Sequence, residues 1–272
     1  MLTDTHFHPF YLEDFPYSAS CQKILAAASA CEPEEFAYNE ELARKSAIDG
    51  SVTILPCFAI HPQQIAVNRE QTVSKLCSLL HSEGMTTLCS LASEGRLAAV
   101  GECGFDLFNS VFKATEAEQD RVFADHLKVA LRYDLPVILH VRRAMHKIFA
   151  LAKTLAKCKA VVFHSWSGTL EEGQAILRHK VNAYFSFGNS IINKHSRAMR
   201  CCALFPAERL LTETDAPYQP QRGKSFSHWD DLPVIIKAAA ALRHEAKSPI
   251  ADAAELEARI EQNFRTVFMP HC

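Results

Sequence analysis

The chain alternates short apolar segments with longer amphipathic ones along its whole length. The short segments are rich in β-branched, aromatic or apolar residues and predict eight strands, at Leu2–Phe7, Lys23–Ser29, Val52–Ile60, Leu97–Glu102, Pro136–His140, Ala160–His164, Asn182–Phe187 and Leu210–Glu213. Helical patterns cover Glu34–Ser46, Glu70–His81, Ala114–Tyr133, Ala144–Ala156, Leu170–His179, Lys194–Phe205, Asp230–Glu245 and Asp252–Phe268. This order is typical of repeated βα units around a parallel sheet. Strands this apolar are expected where one face meets a barrel interior and the other meets helices.

The length of 272 residues allows either two ordinary domains or one large α/β barrel. No linker rich in Ser, Gly or Pro, no low-complexity tract and no block of charge divides the sequence. We therefore predict one domain over residues 1–272, a (β/α)₈ TIM barrel of the α/β class. The alternative is an open doubly wound sheet. That fold usually has a Gly-rich phosphate-binding turn after its first strand, where this chain has His6-Phe7-His8.

Composition narrows the functional class. With 48% hydrophobic and 22% charged residues, the chain has the profile of a globular protein and is not intrinsically disordered. The net charge of −2 argues against a protein that coats nucleic acid by charge alone, but it leaves room for an enzyme that holds one strand end. No secretory pattern and no apolar stretch of ~20 residues is found, so we expect a cytoplasmic protein without a membrane partner. The ten cysteines form no C-x-x-C pair and are expected to be reduced and mostly buried.

Side chains that can bind metals stand at the carboxyl ends of five predicted strands. They are His6, His8, Glu102, His140, His164 and Asp215. These strand ends converge on one face of a βα barrel, so the side chains are expected to form one site. His6 and His8 are two residues apart on an extended strand and point to the same side. Imidazole and carboxylate ligands without thiolate suit zinc, manganese, iron or magnesium.

Each of these residues also has an ordinary explanation when taken alone. Glu102 could cap a helix, Asp215 could belong to a turn, and His140 or His164 could be a hydrogen-bonded core histidine. Chance is a poor explanation for four histidines and two acids at the same end of five strands, and we favour the ligand interpretation. Most other histidines, His126 among them, are expected at the surface. His61 is the exception because it ends the third predicted strand.

A series of motifs runs through the chain from residue 1 to about residue 268. It comprises DTHFH, AIHPQQI, AVGECGFD, PVILHVR, VVFHSWSG, NAYFSFGN, ERLLTETDAPY, the loop RGK and the closing NFRTVF. With these motifs the chain resembles the TatD-like metal-dependent hydrolases, TIM barrels of the wider amidohydrolase type. Members of that family are described as magnesium-dependent deoxyribonucleases, several with 3′ exonuclease activity.

The resemblance implies two divalent ions, Mg²⁺, Mn²⁺ or Zn²⁺. His6 and His8 would hold one ion together with Asp215, and His140 and His164 would hold the second. Glu102 would bridge the two ions, since neutral imidazoles offset none of their charge. Such a pair lowers the pKa of a bound water and stabilises both the attacking and the leaving oxygen. Glu102 and Asp215 are then the catalytic residues, and Asp215 would accept the proton of the attacking water.

The sequence departs from the family pattern near the expected substrate. Arg143 stands where members commonly have an acid, while the preceding Arg142 is either a phosphate clamp or an ordinary surface residue. Trp166 either stacks on a base or packs at the rim. The segments 9–21 and Thr86–Ala98 are also unusual. By their positions near strand ends, the predicted substrate contacts are His61, Asp106, Arg142 and Tyr218.

Three functions fit these observations. The first is a divalent-metal phosphodiesterase acting on DNA ends, favoured by the ligand set and by the basic loop Arg222-Gly223-Lys224 after the last strand. The second is hydrolysis of a small-molecule amide or ester on the same barrel, because loops rather than the fold decide the substrate. The third is a non-enzymatic adaptor with a degenerate site, which the complete ligand set argues against. We expect DNA ends or another phosphodiester as the partner, and a monomer.

Overall fold

A computed structural model describes residues 1–12, 23–65 and 74–269 of the chain. Eight strands form one sheet in which the order along the sheet equals the order along the chain. They are β1 (Leu2–Phe7), β2 (Ile24–Ala30), β3 (Val52–Phe58), β4 (Ala99–Asp106), β5 (Val137–Arg142), β6 (Val161–Phe163), β7 (Ala183–Phe187) and β8 (Leu210–Thr212). Each strand from β1 to β7 pairs in parallel with the next one. This arrangement confirms the predicted TIM barrel.

Threonine side chains join β8 to β1. The hydroxyl of Thr212 donates to the carbonyl oxygen of Thr3 at 2.8 Å, and the hydroxyl of Thr5 donates to the carbonyl oxygen of Thr212 at 3.0 Å. Just beyond the strands, the Asp215 amide donates to the carbonyl oxygen of His6 at 2.9 Å. We call these contacts the β8–β1 junction. It places the residues that follow β8 beside the carboxyl end of β1.

Helices follow most of the strands and pack on the outside of the sheet. They are α1 (Pro33–Asp49), α2 (Ser74–Ser93), α3 (Ser110–Lys113), α4 (Glu116–Arg132), α5 (Met145–Ala150), α6 (Ala152–Leu155), α7 (Leu170–Arg178), α8 (Asn189–Ile192), α9 (Ser196–Leu204), α10 (Leu232–Glu245) and α11 (Ala253–Phe268). The amphipathic pattern of α4 explains its position, since it buries Phe123 against Phe105 of β4 with the rings 4.9 Å apart. A reciprocal capping box between Thr169 and Glu172 begins α7.

Most predicted elements agree with the structure to within three residues at each end, and the strand end that differs most is that of β4. Strands β4 and β5 continue past Glu102 and His140 to Asp106 and Arg142. The residues by which β4 is longer than predicted include Gly104. In the barrel Gly104 lies in the strand with φ at 134°, where a Cβ would stand 2.3 Å from the carbonyl oxygen of His140. The close approach of the two strands therefore requires glycine at this position.

Two predicted helices also differ from the structure. The pattern at Ala144–Ala156 forms two short helices, α5 and α6, instead of one. The pattern at Glu70–His81 belongs to α2, which extends to Ser93, and residues 70–73 lie outside the described residues. The second half of α2 includes part of Thr86–Ala98, the segment that the sequence pattern marked as unusual.

His126 corrects the expectation of a surface histidine. It is fully buried on α4, where Nδ1 lies 2.6 Å from the Val122 carbonyl oxygen and Nε2 accepts from the Ile60 amide at 2.9 Å. It thereby fixes the segment after β3 to the helix. Strand β3 ends at Phe58, so His61 follows the strand by three residues and does not end it.

The cysteines whose side chains are described are free thiols, and most of them are buried. None of the helices in the described part of the chain is long and apolar enough to cross a membrane.

Candidate metal centre

Glu102 of β4 lies at the middle of a group of histidines at the carboxyl end of the barrel. Its Oε1 atom is 2.7 Å from His140 Nδ1, 3.1 Å from His164 Nε2 and 3.4 Å from His61 Nε2. The Glu102 side chain is 5% exposed. One oxygen of a buried carboxylate thus faces His140 of β5 and the histidines that follow β6 and β3.

The other oxygen of Glu102 faces the histidines of the first strand. Oε2 is 3.1 Å from His6 Nε2 and 3.8 Å from His8 Nε2. Asp215 approaches the same pair from the β8–β1 junction, with Oδ1 at 3.5 Å from His6 Nε2 and 3.8 Å from His8 Nε2. The two carboxylate oxygens of Glu102 therefore point at two different sets of histidines.

The structure brings all six predicted ligand side chains together and adds His61. Three groups of ligand atoms lie close enough to share an ion, with all atoms of a group within 4.8 Å of one another. They are His6 with His164 and Asp215, His6 with His8 and Glu102, and His61 with Glu102 and His140. His6 and Glu102 each belong to two groups, so the groups form one continuous cluster.

The remaining ring nitrogens are held by polar neighbours. His6 Nδ1 lies 2.9 Å from Ser29 Oγ, His140 Nε2 lies 3.1 Å from Asp106 Oδ2, and His164 Nδ1 lies 3.3 Å from Glu213 Oε1. Partners of this kind fix the orientation of an imidazole and make its other nitrogen a better ligand. The rings of His6 and His140 are therefore oriented before any ion binds, whereas His164 Nδ1 lies beside Glu213 without a hydrogen bond.

Comparison with known proteins identifies the family. The family model described as "TatD related DNase" matches residues 3–269. The chain belongs to this family.

Curated relatives and solved structures agree with this family membership. The chain is 33% identical over 190 residues to "3'-5' ssDNA/RNA exonuclease TatD" of Escherichia coli strain K12, a match that covers 66% of this chain and 69% of that protein. The protein of the same name from Cronobacter sakazakii is 34% identical over 204 residues, covering 71% and 73% of the two chains. A crystal structure of a TatD homologue from E. coli K12 superimposes with a TM-score of 0.74 at 25% identity and covers 99% of this chain and 98% of that one.

The electrostatics of this TatD-family site are dominated by the buried carboxylates. Burial alone would lower the pKa of His164, but Glu102, Glu213 and Asp215 outweigh it and hold that pKa well above its usual value. The pKa of His140 is also raised, because Asp106 and Glu102 outweigh the effect of burial. In the ion-free protein both imidazoles therefore favour the protonated form.

The carboxylates respond to the same contacts. Burial would raise the pKa of Glu102, but the neighbouring histidines, His164 foremost, hold it well below its usual value. Asp215 has a raised pKa, chiefly through burial, with Glu102 and Glu213 adding repulsion. Glu102 is therefore the carboxylate that stays ionised, and Asp215 is the one that accepts a proton more readily.

Two acids near the cluster were missed in the sequence analysis. Glu213 contacts His164, and the fully buried Asp4 accepts hydrogen bonds from the Thr214 amide at 3.0 Å and from Trp229 Nε1 at 3.1 Å. Both stand two residues before a predicted ligand, Asp4 before His6 and Glu213 before Asp215. The alternation that placed His6 and His8 on one face places Asp4 there too, and this signal could have found it.

The predicted substrate contacts have different surroundings. His61 and Asp106 contact Glu102 and His140, so both belong to the cluster. Tyr218 is 48% exposed, with its ring 5.4 Å from that of His8. Arg142 is exposed and lies 3.7 Å above the ring of Phe108.

Two other expectations about substrate contacts are settled by packing. Trp166 is 3% exposed and packs against Phe163 and Phe185, which matches the rim-packing interpretation. In the loop after β8, Lys224 Nζ lies 2.6 Å from the buried Asp231. Its ammonium group is therefore already paired within the protein.

Proposed function

We propose that this chain is a divalent-metal-dependent phosphodiesterase that shortens single-stranded DNA or RNA from the 3′ end. The observation that carries the proposal is the position of Glu102, whose two oxygens face separate sets of histidines at the carboxyl end of the barrel. The names of the curated relatives, "3'-5' ssDNA/RNA exonuclease", supply the substrate class and the direction of digestion.

The proposed ligands fall into two sets. His6, His8 and Asp215 would hold one ion, His140 and His164 would hold the other, and Glu102 would bridge them. The separate contacts of Glu102 Oε1 and Oε2 support this division. His61 faces the same oxygen of Glu102 as His140 does and is a further candidate for the second ion.

The spacing of the donor atoms fits a metal site. Ligand atoms that share one tetrahedral zinc ion lie about 3.3 Å apart. His6 Nε2 stands 3.0 Å from His8 Nε2 and 3.5 Å from Asp215 Oδ1. Nitrogen and oxygen donors of this kind accept Mg²⁺, Mn²⁺ or Zn²⁺. Two ions of one of these metals are therefore part of the proposal.

When bound, the two ions would acidify a water molecule and neutralise charge on the phosphodiester. Asp215 would accept a proton from the attacking water. Its Oδ2 atom accepts a hydrogen bond from Gln219 Nε2 at 2.6 Å, which fixes the orientation of the carboxylate. Asp106 would keep the ring of His140 in place.

The extent of the functional unit and its location also belong to the proposal. The cluster draws side chains from β1 and from the residues after β8, so a separately functioning half of the barrel would lack ligands. We therefore propose that residues 1–272 act as one domain. A cytoplasmic location and a monomeric state stay predictions from the sequence.

An activity panel tests the function. A single-stranded DNA labelled at its 5′ end is incubated with the purified protein and Mg²⁺, Mn²⁺ or Zn²⁺, with EDTA as the control. The expected result is a ladder of products shortened one nucleotide at a time from the 3′ end, abolished by EDTA. Turnover of a lactone or an N-acyl compound without any release of nucleotides would contradict the proposal and favour an amide or ester hydrolase.

A further inference from the structure

A cavity of about 620 Å³ opens beside the candidate metal centre. His140 and His164 line it together with the last residues of β5, residues that follow β6, the α8–α9 region and Gln219. This volume is within the range of roughly 300–1,000 Å³ that is usual for small-ligand pockets. A ligand in the cavity would therefore lie next to a group bound at the metal cluster.

Two guanidinium groups line this cavity. Arg142 is the last residue of β5, and Arg197 is the second residue of α9. Within residues 1–12, 23–65 and 74–269 neither forms an ion pair with a carboxylate, whereas Arg200 on the same helix pairs with Glu171 at 3.1 Å. Guanidinium groups left without a carboxylate match the oxygens of a phosphate, which they bind through paired hydrogen bonds.

Phe108 holds Arg142 in place. The Arg142 guanidinium lies 3.7 Å from the centre of the Phe108 ring, and that of Arg143 lies 4.6 Å from the same centre. Arg143 also donates a hydrogen bond from Nη1 to the Phe108 carbonyl oxygen at 3.1 Å. These contacts fix a flexible side chain before a ligand arrives, which lowers the entropic cost of binding.

The rest of the cavity wall suits an anion of modest size. Ser165, Ser190 and Ser196 contribute hydroxyl groups, and no acidic side chain lines the cavity among the residues that the structure describes. Arg142 and Arg197 are the permanently charged side chains among those that line the cavity, and their positive charge would attract a ligand with a phosphate group beside a sugar and a base.

We propose that this cavity binds the nucleotide next to the terminal one, with Arg142 and Arg197 on its 5′ phosphate. The inference rests on the proposed 3′ exonuclease function. In a strand ending in a 3′ hydroxyl, the terminal nucleotide brings no phosphate other than the scissile one. The nearest remaining phosphate belongs to the preceding nucleotide. Two unpaired arginines beside the metal cluster would therefore bind the strand on the 5′ side of the scissile bond.

The test combines variants of the protein with variants of the substrate. The substrates are a 5′-labelled deoxyoligonucleotide and the same strand with one neutral methylphosphonate at the linkage directly 5′ of the scissile one. The proteins are the wild type, Arg142→Ala, Arg197→Ala and the control Arg200→Ala, which removes a charge from the same helix outside the cavity. Melting temperatures establish that each variant is folded, and kcat/KM for release of the first nucleotide is the readout.

On the unmodified strand, Arg142→Ala and Arg197→Ala are each expected to lower kcat/KM about 10- to 100-fold. The methylphosphonate is expected to lower the wild-type kcat/KM by a similar factor. On that strand, kcat/KM of each variant should be less than about threefold below the wild-type value on the same strand. Arg200→Ala should match the wild type on both strands.

Two results would overturn the inference. Variants that match the wild type on the unmodified strand would show that the two arginines do not bind substrate. If a variant lowers kcat/KM by the same factor on both strands, the arginine does not act on that phosphate. No metal-dependent release by the wild type would reject the proposed function itself, and the inference with it.

Discussion

At the scale of single residues, the carboxylate of Glu102 connects the whole cluster. Each of its oxygens contacts a different set of histidines, so its charge serves both. A neutral amide of the same shape at this position would keep the packing but lose that charge.

Glu102→Gln is therefore expected to reduce bound metal and to lower nuclease activity about 100-fold or more, with little change in folding. Elemental analysis and initial rates measure the two effects. Glu83→Gln, at an exposed position on α2, is the control and should behave as the wild type. A Glu102→Gln protein with wild-type rates would reject the two-metal assignment.

The raised pKa values of His140 and His164 make a prediction about pH. Both rings bind a proton more tightly in the ion-free protein than free histidine does, and a metal ion binds only the neutral ring. Metal binding at pH 7 should therefore release protons, and affinity should fall as the pH is lowered. Calorimetric titration with Mn²⁺ in two buffers of different ionisation enthalpy measures the proton release. Tighter binding at lower pH would contradict the prediction.

Sequence alone selected the six proposed ligands, because alternation on β1 and strand-end positions elsewhere bring them to one face. It did not select Glu213 or Ser29, which contact the rings of His164 and His6. Their contacts join residues far apart along the chain. Such contacts depend on the final packing of neighbouring strands and leave no local pattern.

At the scale of elements, periodicity predicted the eight strands, since each buried strand is a short apolar run. The ends of strands were less predictable where the propensity of the local sequence disagrees with packing against neighbouring strands. Gly104 lowers the strand propensity of β4, yet the strand continues because the neighbouring His140 carbonyl leaves no room for a side chain.

Gly104→Ala tests this close approach. The added methyl group would meet the His140 carbonyl oxygen, so we expect the variant to lose about 3 kcal/mol or more of stability and to bind metal weakly. Gly50→Ala is the matched control. Gly50 also has a positive φ, 69°, but open space around its Cβ position, so it should lose only about 1–2 kcal/mol. Chemical denaturation measures both, and equal losses would show that backbone conformation alone requires glycine at Gly104.

At the scale of the whole molecule, the barrel depends on how β8 meets β1. The Thr212 hydroxyl donates to the Thr3 carbonyl oxygen and lies 3.0 Å from the Thr3 hydroxyl. Its removal would leave buried polar groups of β1 without a partner.

Thr212→Val keeps the size of the side chain and removes these bonds. We expect a loss of about 1–3 kcal/mol in the free energy of unfolding. Thr53→Val, at an exposed position on β3, is the control and should change stability by less than about 0.5 kcal/mol. Urea denaturation measures the free energy of unfolding of both variants. If Thr212→Val is as stable as Thr53→Val, the β8–β1 junction does not depend on the hydroxyl.

The β8–β1 junction has a consequence for how an ion would affect the fold. His6 and His8 lie on one side of it and Asp215 lies on the other, so an ion held by all three would act as a reversible cross-link between the first and the last strand. Amide hydrogens of β1 and of residues 210–215 should then exchange with deuterium more slowly when metal is present, while those of β3 should change little. Loss of the ion would make local opening of the barrel between β8 and β1 more frequent. The frequency of this opening would then depend on the concentration of free metal in the cell.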